Sequence, residues 1–88
     1  MSFMSDKIRN GGEITSQGEF NKVDSFYIML VPKSTDAASV YVINVQLADN
    51  TGLVDFPFMS STWNPVVCTK LNVKPEDLTS YRIFYGME

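Results

Sequence analysis

Residues 25–32 read SFYIMLVP, an unbroken apolar run that stops at Pro32. Eight residues are short for a buried helix and the right length for a strand covered on both faces. A pleat puts Phe26, Ile28 and Leu30 on one side and Tyr27, Met29 and Val31 on the other. The same grammar repeats outward from this run. Residues 33–39, KSTDAAS, form a polar connection, and residues 39–48, SVYVINVQLA, place Tyr41, Ile43, Val45 and Leu47 on one face. The opposite face passes from Val40 and Val42 to Asn44 and Gln46, so its far end is expected to meet water. Residues 48–52, ADNTG, carry turn chemistry. Residues 53–58, LVDFPF, read as a short strand that Pro57 confines to an edge or an ending.

Beyond it, residues 59–65, MSSTWNP, have the composition of a loop. Trp63, the only Trp, is there either to anchor a partner or to close one end of the core. Residues 66–73, VVCTKLNV, alternate as a strand with Val67, Thr69, Leu71 and Val73 on one side and Val66 and Cys68 on the other. Residues 74–77, KPED, read as a turn because Pro75 presets φ. Residues 81–85, YRIFY, make a last strand ended by Gly86. No helix of useful length is expected. Closely spaced strands rich in β-branched and aromatic residues imply an all-β fold, an antiparallel sandwich or barrel over residues 23–88. Residues 1–22 are polar and punctuated by Gly11, Gly12 and Gly18; they read as an extended N-terminal arm, with room for a short strand near Ile14. Phe3, Met4 and Ile8 are its apolar foothold on a partner.

Composition narrows the chemistry. With 88 residues there is one domain, and 44% hydrophobic with 19% charged is a globular balance. There is no His, so the commonest general base and metal ligand is missing, and a single Cys excludes an internal disulfide and an ordinary zinc site. Cys68, with no His to activate it, reads as packing material. No phosphate-binding, dinucleotide-binding or nucleophile-elbow motif occurs. Asp49, Asn50, Thr51 and Asp55 are too few oxygen ligands for a calcium loop and read as a turn. A net charge of −3 with scattered Lys and Arg argues against nucleic acid and anionic membranes. No run approaches the ~20 apolar residues of a membrane-spanning helix, and the first residues lack the features of a secretory signal. The expectation is a non-enzymatic, cofactor-free chain made in a reducing cytoplasm.

Residues 73–77, VKPED, followed by Tyr81 four residues on, resemble the turn and tyrosine corner entering strand F of immunoglobulin variable domains. The resemblance implies an immunoglobulin-like corner pinned by the Tyr81 hydroxyl on upstream backbone. Ile83 stands where that family has its second Cys. The wider plan, a polar arm, a β domain without Cys pairs and a terminal aromatic strand through Tyr85 and Gly86, is similar to small β-sandwich proteins of bacteriophage virions, such as capsid decoration and head-fibre proteins. That resemblance implies a virion structural protein. It would dock on a capsid or other phage protein lattice through the arm, Trp63 and an apolar face, and would form a homo-oligomer, a trimer by expectation. The alternative is a carbohydrate- or ligand-binding module using Trp63 with Tyr27, Tyr41, Tyr81 and Tyr85 as stacking platforms.

Overall fold

A computed structural model describes residues 10–33, 39–48 and 52–87, and of residues 22–24 the backbone alone. Six strands and one short helix follow in order: β1 (Asn10–Ile14), β2 (Gly18–Pro32), β3 (Val40–Leu47), β4 (Val54–Met59), β5 (Cys68–Val73), α1 (Pro75–Ser80) and β6 (Tyr81–Met87). The strands form one antiparallel sheet in the order β1-β6-β2-β5-β3-β4. The all-β expectation is met. The expected boundary at residue 23 is not where the sheet begins, because β1 and β2 start at Asn10 and Gly18. Phe3, Met4 and Ile8 lie outside the described residues.

β2 organises the sheet. Its first part pairs with β5, from Gly18 to Asn21 and again at Phe26; its second, from Tyr27 to Pro32, pairs with β6. An irregularity between Asn21 and Phe26 lets one strand serve both neighbours, since a bulge bends a strand and raises its twist. The sheet therefore rolls on itself until the chain just after β4 reaches β2, where Ser60 bridges Leu30 and Trp63 bridges Met29. Gly18 opens β2 at φ 110°, a conformation only glycine adopts freely. Gly11 is needed for a different reason. A Cβ there would sit 2.3 Å from the carbonyl oxygen of Tyr85 on β6.

Inside the roll lie Ile14, Phe26, Ile28, Leu30, Ile43, Val45, Phe58, Cys68, Leu71, Val73, Tyr81 and Ile83. The 25–32 run divides as its pleat requires. Phe26, Ile28 and Leu30 are buried, whereas Tyr27, Met29 and Val31 are only half-buried on the outside. Along β5 the expected alternation fails at one point. Gln46 pairs with Lys70 but Leu47 pairs with Cys68, so Thr69 is an extra residue and the phase flips. Cys68 thus joins Leu71 and Val73 in the core rather than facing away from them.

Residues 74–77 are the start of a helix, not a bare turn. Pro75 fits its first position, where the missing N–H is not wanted. The Asp77 N–H donates to the Lys74 carbonyl, and the Lys74 N–H donates back to Asp77 Oδ2 at 3.0 Å. Glu76 and Asp77 place negative charge in the first turn. The last strand also runs on through Gly86 to Met87 rather than stopping at the glycine.

Candidate functional site

Within the β3–β4 hairpin, Val40 pairs with Met59, Val42 with Pro57, and Asn44 with Asp55. Paired residues of an antiparallel ladder share a face. Because the intervening Ile43 and Phe58 point into the core, these six lie outside. Val42 is 60% exposed, Met59 59% and Val40 47%; Leu53 and Val54, past Asp55 at the other end of β4, complete the exposed large hydrophobics among the described residues, and Val54 pairs with buried Val45 on the inner side. All five belong to this hairpin or its approach. The sequence reading had Val40 and Val42 covered and the Asn44 end wet. The structure reverses it, for a topological reason. β5 pairs with β3 only from Asn44 to Leu47, so among the described residues Val40 and Val42 have β4 on one side and no strand on the other. Next to this aliphatic end runs a polar band. Asn72 donates to Asn44 Oδ1 at 3.3 Å, Asn44 donates to Asp55 Oδ1 at 3.0 Å, and Lys70 lies 3.6 Å from Glu19.

The edge of β4 is closed by a side chain. The Met59 N–H donates to Asn64 Oδ1 at 2.8 Å, and Asn64 Nδ2 donates to the Met59 carbonyl at 3.1 Å. The carboxamide thereby copies the two bonds that a further strand would make. Asn64 also reaches β2, its backbone N–H and Nδ2 both donating to the Ile28 carbonyl at 3.1 and 3.2 Å. It is 4% exposed. The tight loop that delivers it needs Ser61 at φ 63°, and the Ser61 N–H donates to the Leu30 carbonyl at 2.6 Å. Sequence reasoning took Asn64 for an ordinary loop residue. A loop Asn becomes visible as a plug only once the strand edges flanking it are known.

Trp63 is half-buried, and among the described residues its ring is not one of those packed against the core, which removes the lid reading. Its backbone is the antiparallel partner of Met29, so its side chain shares the outer face of Met29 and Phe84. Arg82 lies on the same face, its guanidinium 5.1 Å from the Phe84 ring centre and held by Glu13 through two bonds of 2.9 Å. Of the four tyrosines proposed as platforms, three turn inward. Tyr81 is buried with Tyr41 4.5 Å away, and Tyr85 stacks at 4.8 Å on Phe20. Tyr27 is the one left on the outer face with Trp63.

The remaining candidates are structural. The Tyr81 hydroxyl donates to Asp77 Oδ1 at 2.7 Å, so the corner is pinned by a carboxylate of α1 rather than by backbone. Burial first, then that bond, raises the Tyr81 pKa. Burial likewise pushes the Cys68 thiol up to about 12, which keeps it protonated and unreactive at neutral pH. A cleft of about 110 Å³ is lined by Glu13, Ile14, Thr15, Lys33, Leu78, Tyr81 and Arg82. Its charges are engaged already, Glu13 on Arg82 and Lys33 Nζ on the Leu78 carbonyl at 2.6 Å. Among the described residues no cluster of His, Cys, Asp or Glu could hold a metal ion. Asp49, Asn50 and Thr51 lie outside the description, and Asp55 accepts from Asn44. No family model, no curated protein and no solved structure matches this chain.

Proposed function

We propose that this chain is a non-enzymatic assembly module that docks on a larger protein lattice through the outer face of β3 and β4. One observation carries the reading: Val40, Val42 and Met59, the three most exposed large hydrophobics among the described residues, gather on that face. Scattered exposed aliphatics mean little, but a gathered set marks an interaction surface. The rolled sheet behind it is a rigid support, since Ile43, Val45 and Phe58 anchor the hairpin from within. A phage virion is the lattice proposed, in line with the resemblance of plan described above. The test is a photo-crosslinking residue at Val42, with a second at exposed Thr15 as control, followed by mass spectrometry of purified virions. Crosslinks to a virion protein from position 42 and not from 15 are expected. Equal yields from both positions would remove the face from consideration.

A second reading, a carbohydrate-binding module, is supported by the outer row in which Trp63, Met29 and Phe84 share a face with Tyr27. A glycan array in which Trp63→Ala abolishes every signal would favour it over docking.

A further inference from the structure

The aliphatic end of the β3–β4 face is self-complementary. Consider a second copy laid on it about a two-fold axis that runs parallel to the strands, midway between β3 and β4. Val40 then faces Met59 of the second copy, Val42 faces Pro57, and Asn44 faces Asp55, because those residues are already in register within one hairpin. Every apolar side chain of the three pairs meets an apolar one. Asp55, the only charge among the six, meets an amide instead of another carboxylate. Asn44 Nδ2 gives one hydrogen to its own Asp55 and has a second to offer across the contact. A patch that set Asp55 against Asp55 would oppose pairing in a chain of net charge −3.

The composition of the patch points the same way. Val40, Val42, Pro57 and Met59 leave one end of the patch wholly apolar, and homodimer faces are more apolar than those between transient partners. Edge-on pairing of β4 is hindered at Met59, whose backbone groups Asn64 already occupies. A face-on approach, sheet over sheet at roughly 10 Å, leaves that plug undisturbed.

We infer that this face pairs with a second copy of the chain in solution, as an isologous two-fold contact centred on Val42 and Pro57. The inference rests on the reading of the same face as a docking surface, for which a second copy and the lattice compete. A self-complementary face closes at two copies, whereas the three-fold ring expected from sequence needs two different surfaces. The six residues of the patch fall short of the roughly 20–30 a side of a standard interface. The pair is therefore weak, with a dissociation constant in roughly the 10–1,000 μM range.

Sedimentation equilibrium of the full chain between 10 μM and 1 mM tests it. The mass is expected to rise toward twice that of one chain, and Val42→Lys, at an exposed position, is expected to weaken pairing at least tenfold without unfolding. Geometry is tested separately by mixing Val42→Cys chains with Pro57→Cys chains under mild oxidation, the buried Cys68 being protected. Disulfides between unlike chains should outnumber those between like chains. A flat monomer mass to 1 mM, or crosslinks mainly between like chains, overturns the pair. The docking role fails differently. If Val42→Lys abolishes the virion crosslinks of a chain that is always monomeric, docking stands and the pair falls. If the pair forms and the virion crosslinks are unaffected by Val42→Lys, the pair stands and docking falls.

Discussion

β4 is treated in opposite ways at its edge and on its face. At the edge, Met59 is bonded at both N–H and carbonyl by Asn64, and Pro57, whose nitrogen points the same way, has no hydrogen to donate. On the face, Val42, Pro57 and Met59 are left bare. An open edge recruits any strand through backbone bonds that carry no sequence information, which is the route to aggregation. A bare face recruits only a surface of matching shape. Closing one while leaving the other open removes indiscriminate association and keeps selective contact.

The largest effect should come from breaking the seal. Asn64→Ala strands the Met59 N–H and carbonyl in a part-buried seam and removes a bond to the Ile28 carbonyl. The expected loss of stability is on the order of 3 kcal/mol, read from the urea midpoint. Because the edge is then open, thioflavin-positive aggregates should appear during storage where the native chain gives none. A stable variant without aggregates would mean that Asn64 is not what closes the edge.

Tyr81→Phe is the matched comparison at the start of β6. It deletes the bond to Asp77 but exposes no strand edge, so about 1–2 kcal/mol should be lost with no gain in aggregation. Aggregation equal to that of Asn64→Ala would show that general instability, not an open edge, drives it. An unchanged unfolding midpoint would remove the pinning role of the hydroxyl.

These two residues also show how far the sequence could be read. Tyr81 was legible because its corner is local, with the proline, the acid and the tyrosine lying within seven residues. What was missed there is the partner, the Asp77 side chain, and the helix that delivers it, since six residues give too short a period to detect. Asn64 was illegible because its partners, Ile28 and Met59, come from different strands. After residue 24 the strands and most of their inward faces followed from the sequence, but the first part of β2 was read as arm, the 25–32 run was read as covered on both faces, and at Thr69 one inserted residue reversed the phase. Val40 and Val42 were misplaced because alternation tells inside from outside only where neighbours cover both faces. Whether β5 extends far enough to cover them is a fact of register. Trp63 was singled out from sequence as a candidate contact or a lid, yet which surface it joins depended on its bridge to Met29.

The opposite edge of the sheet, β1, is held by different means and responds to a different variable. Arg82 beside Glu13, mainly through their hydrogen bonds, holds the Glu13 carboxyl below its usual range. A depressed folded-state pKa means the stabilising contribution is present above the unfolded value near 4.5 and is lost as pH falls through the folded value. Glu13→Gln should therefore lower the thermal midpoint slightly at pH 7, and the gap should close in more acidic buffer. A gap that stays constant from pH 7 to pH 3 would show that the ion pair does nothing for β1. The β4 seal, made of amide and backbone groups, has no such pH dependence of its own.

The smallest effect on stability, and the most direct test of the contrast, is expected at Pro57. Its place on the hairpin is exposed and paired with Val42, so Pro57→Thr puts a good strand former there and should move the unfolding midpoint by less than about 0.5 kcal/mol. What it changes is the edge. Threonine restores an outward N–H beside the Met59 groups that Asn64 occupies, while leaving Val40, Val42 and Met59 in place. Slow, edge-on association should increase, visible as species larger than two copies in analytical sedimentation. Asn64→Ala combined with Pro57→Thr should aggregate faster than either alone. Should Pro57→Thr leave the size distribution unchanged even at millimolar concentration, the missing donor is irrelevant and the carboxamide alone protects β4.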